Sequence, residues 1–201
     1  AGILARKSDS KILDDLNIQR INVLVVNFYP FEKVINKNDF SFEEAVENID
    51  IGGPAMVRAA AKNFDNCCVL TDPNDYDFFI KNFDPELSSN QIFNKKMSLK
   101  AFENVAHYDI SIANFLSQEI NDEIFPKYYS LKKLSNLRYG ENPHQNAALY
   151  KSSSEEKTSI VDSRQHQGKE LSYNNMVDGD AALSCVINFE EPSCVIVKHA
   201  N

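Results

Sequence analysis

The sequence lacks any run of apolar residues close to the roughly 20 that a membrane-spanning helix requires. Its first six residues (AGILAR) also lack the charged, apolar and cleavage regions of a secretory signal peptide. We therefore expect a cytoplasmic protein that has no membrane partner.

Positive charge is also in short supply. Against 29 aspartate and glutamate residues stand 21 lysine and arginine residues, which gives a formal net charge of −8. Such an acidic surface disfavours sequence-independent binding to nucleic acid, which needs clustered positive charge. It still allows a small basic pocket for a phosphorylated metabolite.

Cysteine is scarce, and its spacing is uninformative. The four cysteines (Cys67, Cys68, Cys185 and Cys194) have no CxxC spacing and form no metal-ligand pattern with the four histidines. We therefore predict no metal site and expect these cysteines to act as small apolar side chains.

What the sequence does contain is the order of strands and helices that is typical of an α/β fold. Residues 21–28 (INVLVVNF) are β-branched without polar alternation, which predicts a strand buried on both faces of a parallel sheet, and residues 67–70 predict a second strand. Between them, Ser41 followed by Glu44 predicts one helix start and Pro54 another. A doubly wound parallel-sheet unit is the expected result.

A long helix is predicted over residues 89–120, with Leu99, Phe102 and Val105 on its buried stripe. Periodicity is lost after it, over residues 121–130, which include a proline. We place a linker there and divide the chain into two domains, residues 1–125 and 126–201.

Beyond that linker the pattern predicts a helix over residues 176–189, with Cys185 facing inward, and a buried strand over residues 193–197. The chain begins without methionine and stops soon after this predicted strand. Because a central strand needs partners for its backbone groups, we expect the sequence to be a piece of something longer.

Polar side chains follow two predicted strands at their carboxyl ends, where ligands bind in open α/β sheets. Asn27 and Tyr29 follow the first strand, and Lys198 and His199 follow the last. A neighbouring ammonium disfavours the imidazolium form of a histidine and leaves a neutral base near pH 7. The alternatives are a packing role for Tyr29 and an ordinary surface position for the lysine and histidine.

The segment 50–54 (DIGGP) also has two interpretations. One is a plain turn between helices, and the other is a tight loop that leads to a helix N-terminus able to bind an anion. Arg58 and Lys62 lie four residues apart on one helix face, where they are either simply solvated or directed at a phosphate or carbonyl group.

Seven motifs follow one another along the chain: residues 1–6 (AGILAR), 26–31 (VNFYPF), 47–54 (ENIDIGGP), 58–63 (RAAAKN), 137–145 (LRYGENPHQ), 168–175 (GKELSYNN) and 197–201 (VKHAN). Together they closely resemble the bifunctional purine-biosynthesis family that combines AICAR transformylase with IMP cyclohydrolase. The resemblance spans nearly the whole chain.

The resemblance implies a fold and an activity. It implies an IMP cyclohydrolase domain with a methylglyoxal-synthase-like α/β fold, here without its first strands, and then the start of a cytidine-deaminase-like transformylase domain that carries no zinc. The family transfers a formyl group from the cosubstrate 10-formyltetrahydrofolate to AICAR. It then closes the product, FAICAR, to IMP with loss of water, and its members are homodimers.

The resemblance also implies site residues. For the cyclohydrolase, the implied nucleotide contacts are Asn27, Asp50, Ile51 and Gly52, and the implied catalytic groups are Tyr29 and Lys62. For the transformylase, Arg138 and Tyr139 are implied to bind AICAR, His199 to act as the general base, and Lys198 to stabilise charge on the formyl oxygen.

Both sites would be incomplete within 201 residues, so we expect this piece alone to be inactive. Two hypotheses from other classes stay open. One is a non-catalytic module that binds a purine ribotide, and the other is a chain that acts only as a dimerisation scaffold. The presence of Lys62 and His199 with their neighbours argues against the first.

Overall fold

The computed structural model describes residues 2–83, 91–120, 128–152 and 159–200. It divides the chain into two compact units, residues 1–128 and 129–201. Most of the predicted linker, including the predicted boundary between residues 125 and 126, lies outside the described residues.

The first unit begins with short 3₁₀ turns and then alternates helices with two strands. Its elements in chain order are α1 (Ser10–Asp15), β1 (Val23–Val25), α2 (Phe31–Ile35), α3 (Phe42–Glu47), α4 (Gly52–Lys62), β2 (Cys68–Leu70), α5 (Tyr76–Asn82) and α6 (Gln91–Ile120).

The sheet of this unit is parallel, as the sequence predicts. β1 pairs with β2 so that Val23 lies opposite Cys68 and Val25 opposite Leu70. Every residue of β2 is buried, but Val25 is 50% exposed. The prediction that the first strand is buried on both faces is therefore wrong for β1, because none of the described elements covers the Val25 side chain.

Helices α4 and α6 pack on β2 and form the main core. The buried cluster consists largely of small side chains: Val57, Ala60, Ala61, Cys67, Val69, Ala101 and Val105. Small residues let the two helices approach closely, and the hydroxyl of Ser98 on α6 donates a 2.7 Å hydrogen bond to the carbonyl oxygen of Ala61 on α4.

The buried stripe of α6 differs from the predicted one. Val105 is buried as expected, but Leu99 is 61% exposed and Phe102 is also exposed. The helix instead turns Ser98 and Ala101 inward. A small alanine and a hydrogen-bonded serine fit the narrow gap between α6 and α4, where a leucine side chain would not fit.

An aromatic cluster forms a second core beside the end of β1. It contains Phe31 of α2, Ala45 of α3, and Tyr108 and Phe115 of α6. Helix α3 begins as predicted, because the hydroxyl of Ser41 accepts a hydrogen bond from the backbone N–H of Glu44 at 3.0 Å. The short helix α2 was not expected from the sequence.

Two cysteine predictions are confirmed and two are wrong. Cys67 and Cys68 are buried, and burial raises their thiol pKa values to about 11 and about 12, so both behave as small apolar groups. Cys185, which the pattern turned inward, is exposed, and so is Cys194.

The second unit consists of an antiparallel hairpin and one helix. β3 (Leu131–Asn136) pairs with β4 (Ala148–Ser152), and α7 (Tyr173–Val186) follows a 3₁₀ turn. The side chain of Ser172 caps α7 in a reciprocal capping box with Asn175, and Ser172 is almost fully buried.

The strand predicted over residues 193–197 does not form, and Ile196 is 92% exposed. A β-branched run becomes a strand only beside another strand that accepts its backbone hydrogen bonds. Among the described residues, the sheets are β1–β2 and β3–β4, and neither includes this segment. None of the described helices is long and apolar enough to cross a membrane.

An ion pair joins α2 to α6. The Nε2 atom of His107 lies 3.1 Å from Oε1 of Glu32, and the hydroxyl of Ser111 donates to the same oxygen. The hydrogen bond between the two raises the pKa of His107 and lowers the pKa of Glu32. Both side chains are partly exposed, so the pair contributes only modestly to the stability of the fold.

We expect substitutions on the two faces of α6 to differ in their effect on stability. Val105→Ala leaves a cavity between α6 and β2 and should lower the free energy of unfolding by about 2 kcal/mol. Leu99→Ala should change it by less than about 0.5 kcal/mol. Urea denaturation followed by circular dichroism measures both. A larger loss for Leu99→Ala would contradict the observed orientation of α6.

The Glu32–His107 pair should stabilise the fold most between pH 4.5 and 6.5, the ordinary pKa values of the two groups. The raised pKa of His107 means that its contribution is lost as the pH rises through it. The lowered pKa of Glu32 means that its contribution is lost as the pH falls through it.

A double-mutant cycle with Glu32→Gln and His107→Gln tests this pH dependence. We expect a coupling energy of up to about 1 kcal/mol near pH 5.5 and a clearly smaller one near pH 8.5. Equal coupling at the two pH values would show that ionic attraction is not what links these side chains.

Candidate functional site

A cleft of about 270 Å³ opens where β1 ends. Among its lining residues are Asn27 and Tyr29, together with Glu32, His107 and Tyr108. The two residues that the sequence placed after the first strand therefore line one cleft at the carboxyl end of the parallel sheet. A wider cleft of about 620 Å³ beside α1 contains none of the predicted site residues.

Asp50 connects this cleft to the start of α4. Its Oδ2 atom accepts a 3.3 Å hydrogen bond from the backbone N–H of Tyr29, and its Oδ1 atom accepts a 2.7 Å hydrogen bond from the backbone N–H of Gly53. A Cβ atom at Gly53 would lie 2.5 Å from Oδ2 of Asp50, so a larger residue there would displace the carboxylate from this position. The carboxylate thus connects the segment after β1 to the start of α4, although Tyr29 and Asp50 are 21 residues apart in the sequence.

Ile51 and Gly52 lie beside Asp50, at the beginning of α4. The side chain of Ile51 is exposed, and apart from chain neighbours and the backbone of α4 no atom lies within 4 Å of the position that a Cβ of Gly52 would occupy. The structure therefore places Asn27, Tyr29, Asp50, Ile51 and Gly52 around one strand end, with open space next to the helix start.

Tyr108 is a member of this site that sequence reasoning missed. The hydroxyl of this buried side chain accepts a 2.8 Å hydrogen bond from the backbone N–H of Asp50 and donates a 3.1 Å bond to the carbonyl oxygen of Asn48. Burial raises the pKa of the hydroxyl. The sequence did contain a signal for this residue. Tyr108 lies three residues after Val105 and therefore on the same buried face of the helix, where its hydroxyl needs a hydrogen-bond partner.

Asn27 is held from the other side by the segment after β2. Its Nδ2 atom donates a 3.2 Å hydrogen bond to the hydroxyl of Tyr76, the first residue of α5. Lys100 of α6 fixes the preceding turn through 2.7 Å ion pairs with Asp72 and Asp75. Burial works against the charge of Lys100, but the hydrogen bonds that it donates to these two carboxylates raise its pKa overall.

Lys62 is not part of this cluster. It ends α4, and Asp50 precedes the start of the helix, so about 16 Å of helix separates the two. Lys62 instead lines a cleft of about 420 Å³ with Arg58, Leu4 and Phe102, and the guanidinium of Arg58 lies 5.8 Å from the ring centroid of Phe102. The second predicted cation, Arg58, thus shares this cleft with Lys62.

In the second unit, Arg138 and Tyr139 form a stacked pair. The Cζ atom of Arg138 lies 4.8 Å from the ring centroid of Tyr139, and Nη2 donates a 3.0 Å hydrogen bond to the Tyr139 hydroxyl. Hydrogen bonds with Ser172 and Arg138 lower the pKa of Tyr139. This contact fixes the exposed guanidinium in an orientation that suits a planar or anionic ligand.

The backbone joins this pair to the start of α7. The N–H of Arg138 donates to the carbonyl oxygen of Leu171 at 3.2 Å, and the N–H of Tyr173 donates to that of Tyr139 at 3.1 Å. The motifs at residues 137–145 and 168–175, which are distant in sequence, therefore run side by side.

Lys198 and His199 are both exposed, on a segment without regular secondary structure. His199 has a φ of 63°, in the left-handed region, so the alternation of an extended strand does not apply to the two side chains. The next backbone N–H, that of Ala200, donates a 2.9 Å hydrogen bond to Oδ1 of Asp178 on α7. Asp178, which lies five residues after the first residue of α7, Tyr173, therefore anchors this segment to the helix.

Within the residues that the structure describes, no group of three or more histidine, cysteine, aspartate or glutamate side chains is arranged to hold a metal ion.

Comparison with known proteins shows the family of the chain. A family model described as "AICARFT/IMPCHase bienzyme" matches residues 60–201. The curated "Bifunctional purine biosynthesis protein PurH" of Shouchella clausii (strain KSM-K16) is 43% identical over 204 residues, which cover 100% of this chain and 40% of that relative. The chain thus spans about two fifths of the relative's length.

A solved structure described as "Crystal structure of ForH" is 34% identical, covers 57% of this chain and 62% of that one, and has a TM-score of 0.49. The family model covers well over half of the chain. The chain therefore belongs to the AICARFT/IMPCHase bienzyme family.

Proposed function

We propose that this chain is part of a bifunctional enzyme that catalyses the last two steps of de novo purine synthesis, formyl transfer to AICAR and ring closure of FAICAR to IMP. The observation that carries the proposal is the cluster at the end of β1, where Asn27 and Tyr29 of one family motif meet Asp50 of another. The relative named a bifunctional purine biosynthesis protein supports the same function.

We assign residues 1–125 to a cyclohydrolase domain of methylglyoxal-synthase-like fold and residues 126–201 to the start of a transformylase domain of cytidine-deaminase-like fold. The parallel pairing of β1 with β2 and the separate compact unit after Tyr128 support this division. The proposal includes a homodimer in the cytoplasm, and an incomplete and therefore inactive site in each half of the present chain.

Ring closure joins the carboxamide nitrogen of FAICAR to its formyl carbon and releases the formyl oxygen as water. The carboxamide nitrogen loses one proton as it attacks, and the formamide nitrogen loses another as the C–O bond breaks and a C=N bond forms. Both protons leave with the formyl oxygen as water. We propose that the exposed hydroxyl of Tyr29 exchanges a proton in this step. Asn27, Asp50, Ile51 and Gly52 hold the nucleotide, with the amide groups at the start of α4 favouring its anionic part.

Lys62 is the second proposed proton-transfer group. Because it ends α4 in the cleft that also contains Arg58, it reaches the substrate only if the substrate, or a second copy of the chain, bridges the distance from Tyr29. Its role therefore rests on the motif resemblance, and the experiment below tests it directly.

Formyl transfer begins when the amine of AICAR attacks the formyl carbon of 10-formyltetrahydrofolate. We propose that His199 removes the amine proton and that Lys198 stabilises the negative charge on the formyl oxygen, before tetrahydrofolate leaves with a proton. Arg138 and Tyr139 bind AICAR, and the stacking of the guanidinium on the ring supports that role.

Tyr29→Phe in the full-length protein should lower kcat for ring closure by about 10²- to 10⁴-fold, because a proton-transfer group is lost. Formyl transfer should keep its wild-type rate. The two activities are measured separately, as IMP formed from FAICAR and as FAICAR formed from AICAR. Tyr150→Phe, another exposed tyrosine, is the matched control and should leave both unchanged. Unaltered ring closure in Tyr29→Phe would remove this residue from the mechanism.

Lys62→Ala and His199→Ala should have opposite effects in the full-length protein. The first should abolish ring closure and spare formyl transfer, and the second should do the reverse. Arg58→Ala, in the same cleft as Lys62, separates a general effect of lost charge from a specific one. Loss of both activities in either folded variant would contradict two separate sites. Ribotide binding without either reaction in the wild-type protein would favour a non-catalytic binding module.

A further inference from the structure

One buried hydroxyl contacts two residues, Asn48 and Asp50, of the short connection between α3 and α4. The Tyr108 hydroxyl accepts a hydrogen bond from the backbone N–H of Asp50 at 2.8 Å and donates one to the carbonyl oxygen of Asn48 at 3.1 Å. The hydroxyl thus donates one hydrogen bond and accepts another, and both partners lie in the segment 48–50. The Asn48 side chain fixes that segment further through a 2.9 Å bond to the carbonyl oxygen of Glu44.

The ring of Tyr108 packs against two aromatic residues of the segment that follows β1. Its centroid lies 5.1 Å from that of Phe28 and 6.2 Å from that of Phe31, the residues on either side of Tyr29 and Pro30. Tyr108 also lines the cleft itself. One side chain of α6 thus sets the separation between the segment that follows β1 and the segment that leads into α4.

Asp50 passes this constraint on to Tyr29. Its backbone N–H is bound by Tyr108, and its carboxylate binds the backbone N–H of Tyr29 and that of Gly53. If the hydroxyl of Tyr108 is removed, Asp50 keeps its carboxylate but loses the bond that holds its backbone. The position of Tyr29 relative to the start of α4 is then less well defined.

We infer that Tyr108 is a positioning residue for the ring-closure site, which holds Asp50 and through it Tyr29 in the geometry that binds the substrate. This inference rests on the proposed function. Tyr108 itself transfers no proton, because its hydroxyl is buried and both of its hydrogen bonds go to the backbone.

The test is Tyr108→Phe in the full-length protein, since phenylalanine keeps the ring contacts and removes only the hydroxyl. We expect kcat/KM for FAICAR closure to fall about 10- to 100-fold and formyl transfer to be unchanged. Hydrogen exchange of the peptide that contains residues 48–50 should become faster. Phe115→Leu is the matched control, because it weakens the same aromatic cluster and removes neither hydrogen bond of the Tyr108 hydroxyl.

A double-mutant cycle with Tyr29→Phe distinguishes positioning from a general loss of stability. If Tyr108 acts through Tyr29, its substitution should have little further effect on ring closure in the Tyr29→Phe background. The inference is overturned if Tyr108→Phe keeps wild-type kcat/KM, if the two effects simply multiply, or if Phe115→Leu causes the same fall at an equal loss of Tm.

Failure of the proposed function would look different. A wild-type protein that neither binds nor closes FAICAR would overturn both the proposed function and this inference. An active wild-type protein with an equally active Tyr108→Phe variant would overturn the inference alone.

Discussion

The site of the first unit depends on the hydrogen bonds that the carboxylate of Asp50 accepts. This carboxylate accepts hydrogen bonds from the backbone N–H of Gly53 in the first turn of α4 and from the backbone N–H of Tyr29 after β1, so one side chain joins the helix to the segment after the strand. A side-chain acceptor for an N–H in the first turn of a helix is worth about 0.5–2 kcal/mol. The absence of a Cβ atom at Gly53 leaves the space that the Asp50 carboxylate occupies.

In the second unit, the start of helix α7 holds the proposed site residues in place. Ser172 caps α7, and the N–H of Tyr173 in the first turn binds the carbonyl oxygen of Tyr139, which fixes the stacked pair with Arg138. Asp178, further along the same helix, binds the N–H of Ala200 next to the proposed base. A helix of 14 residues therefore supports both groups of proposed transformylase residues.

Much of the α/β framework could be predicted, because short-range patterns encode it. β-branched runs indicated the two parallel strands, Ser41 indicated the start of α3, and apolar neighbours indicated that Cys67 and Cys68 are buried. The placement of Asn27 and Tyr29 at a strand end also followed from the order of residues. The failed strand at residues 193–197 has the same pattern but no partner among the described strands, and a partner is not a local property.

The sequence by itself determined the fold class, the start of α3 and the residue types that follow β1, because these depend on neighbours a few positions away. It did not determine the start of α4, which lies at Gly52 and not at the predicted Pro54. Only the tertiary structure decided that α6 buries Ser98 instead of Leu99, and that Tyr108 holds Asp50 across 58 residues. It also decided that Lys62 faces a different cleft from Tyr29. These outcomes depend on how closely distant segments pack, and the spacing of residues along a chain does not contain that information.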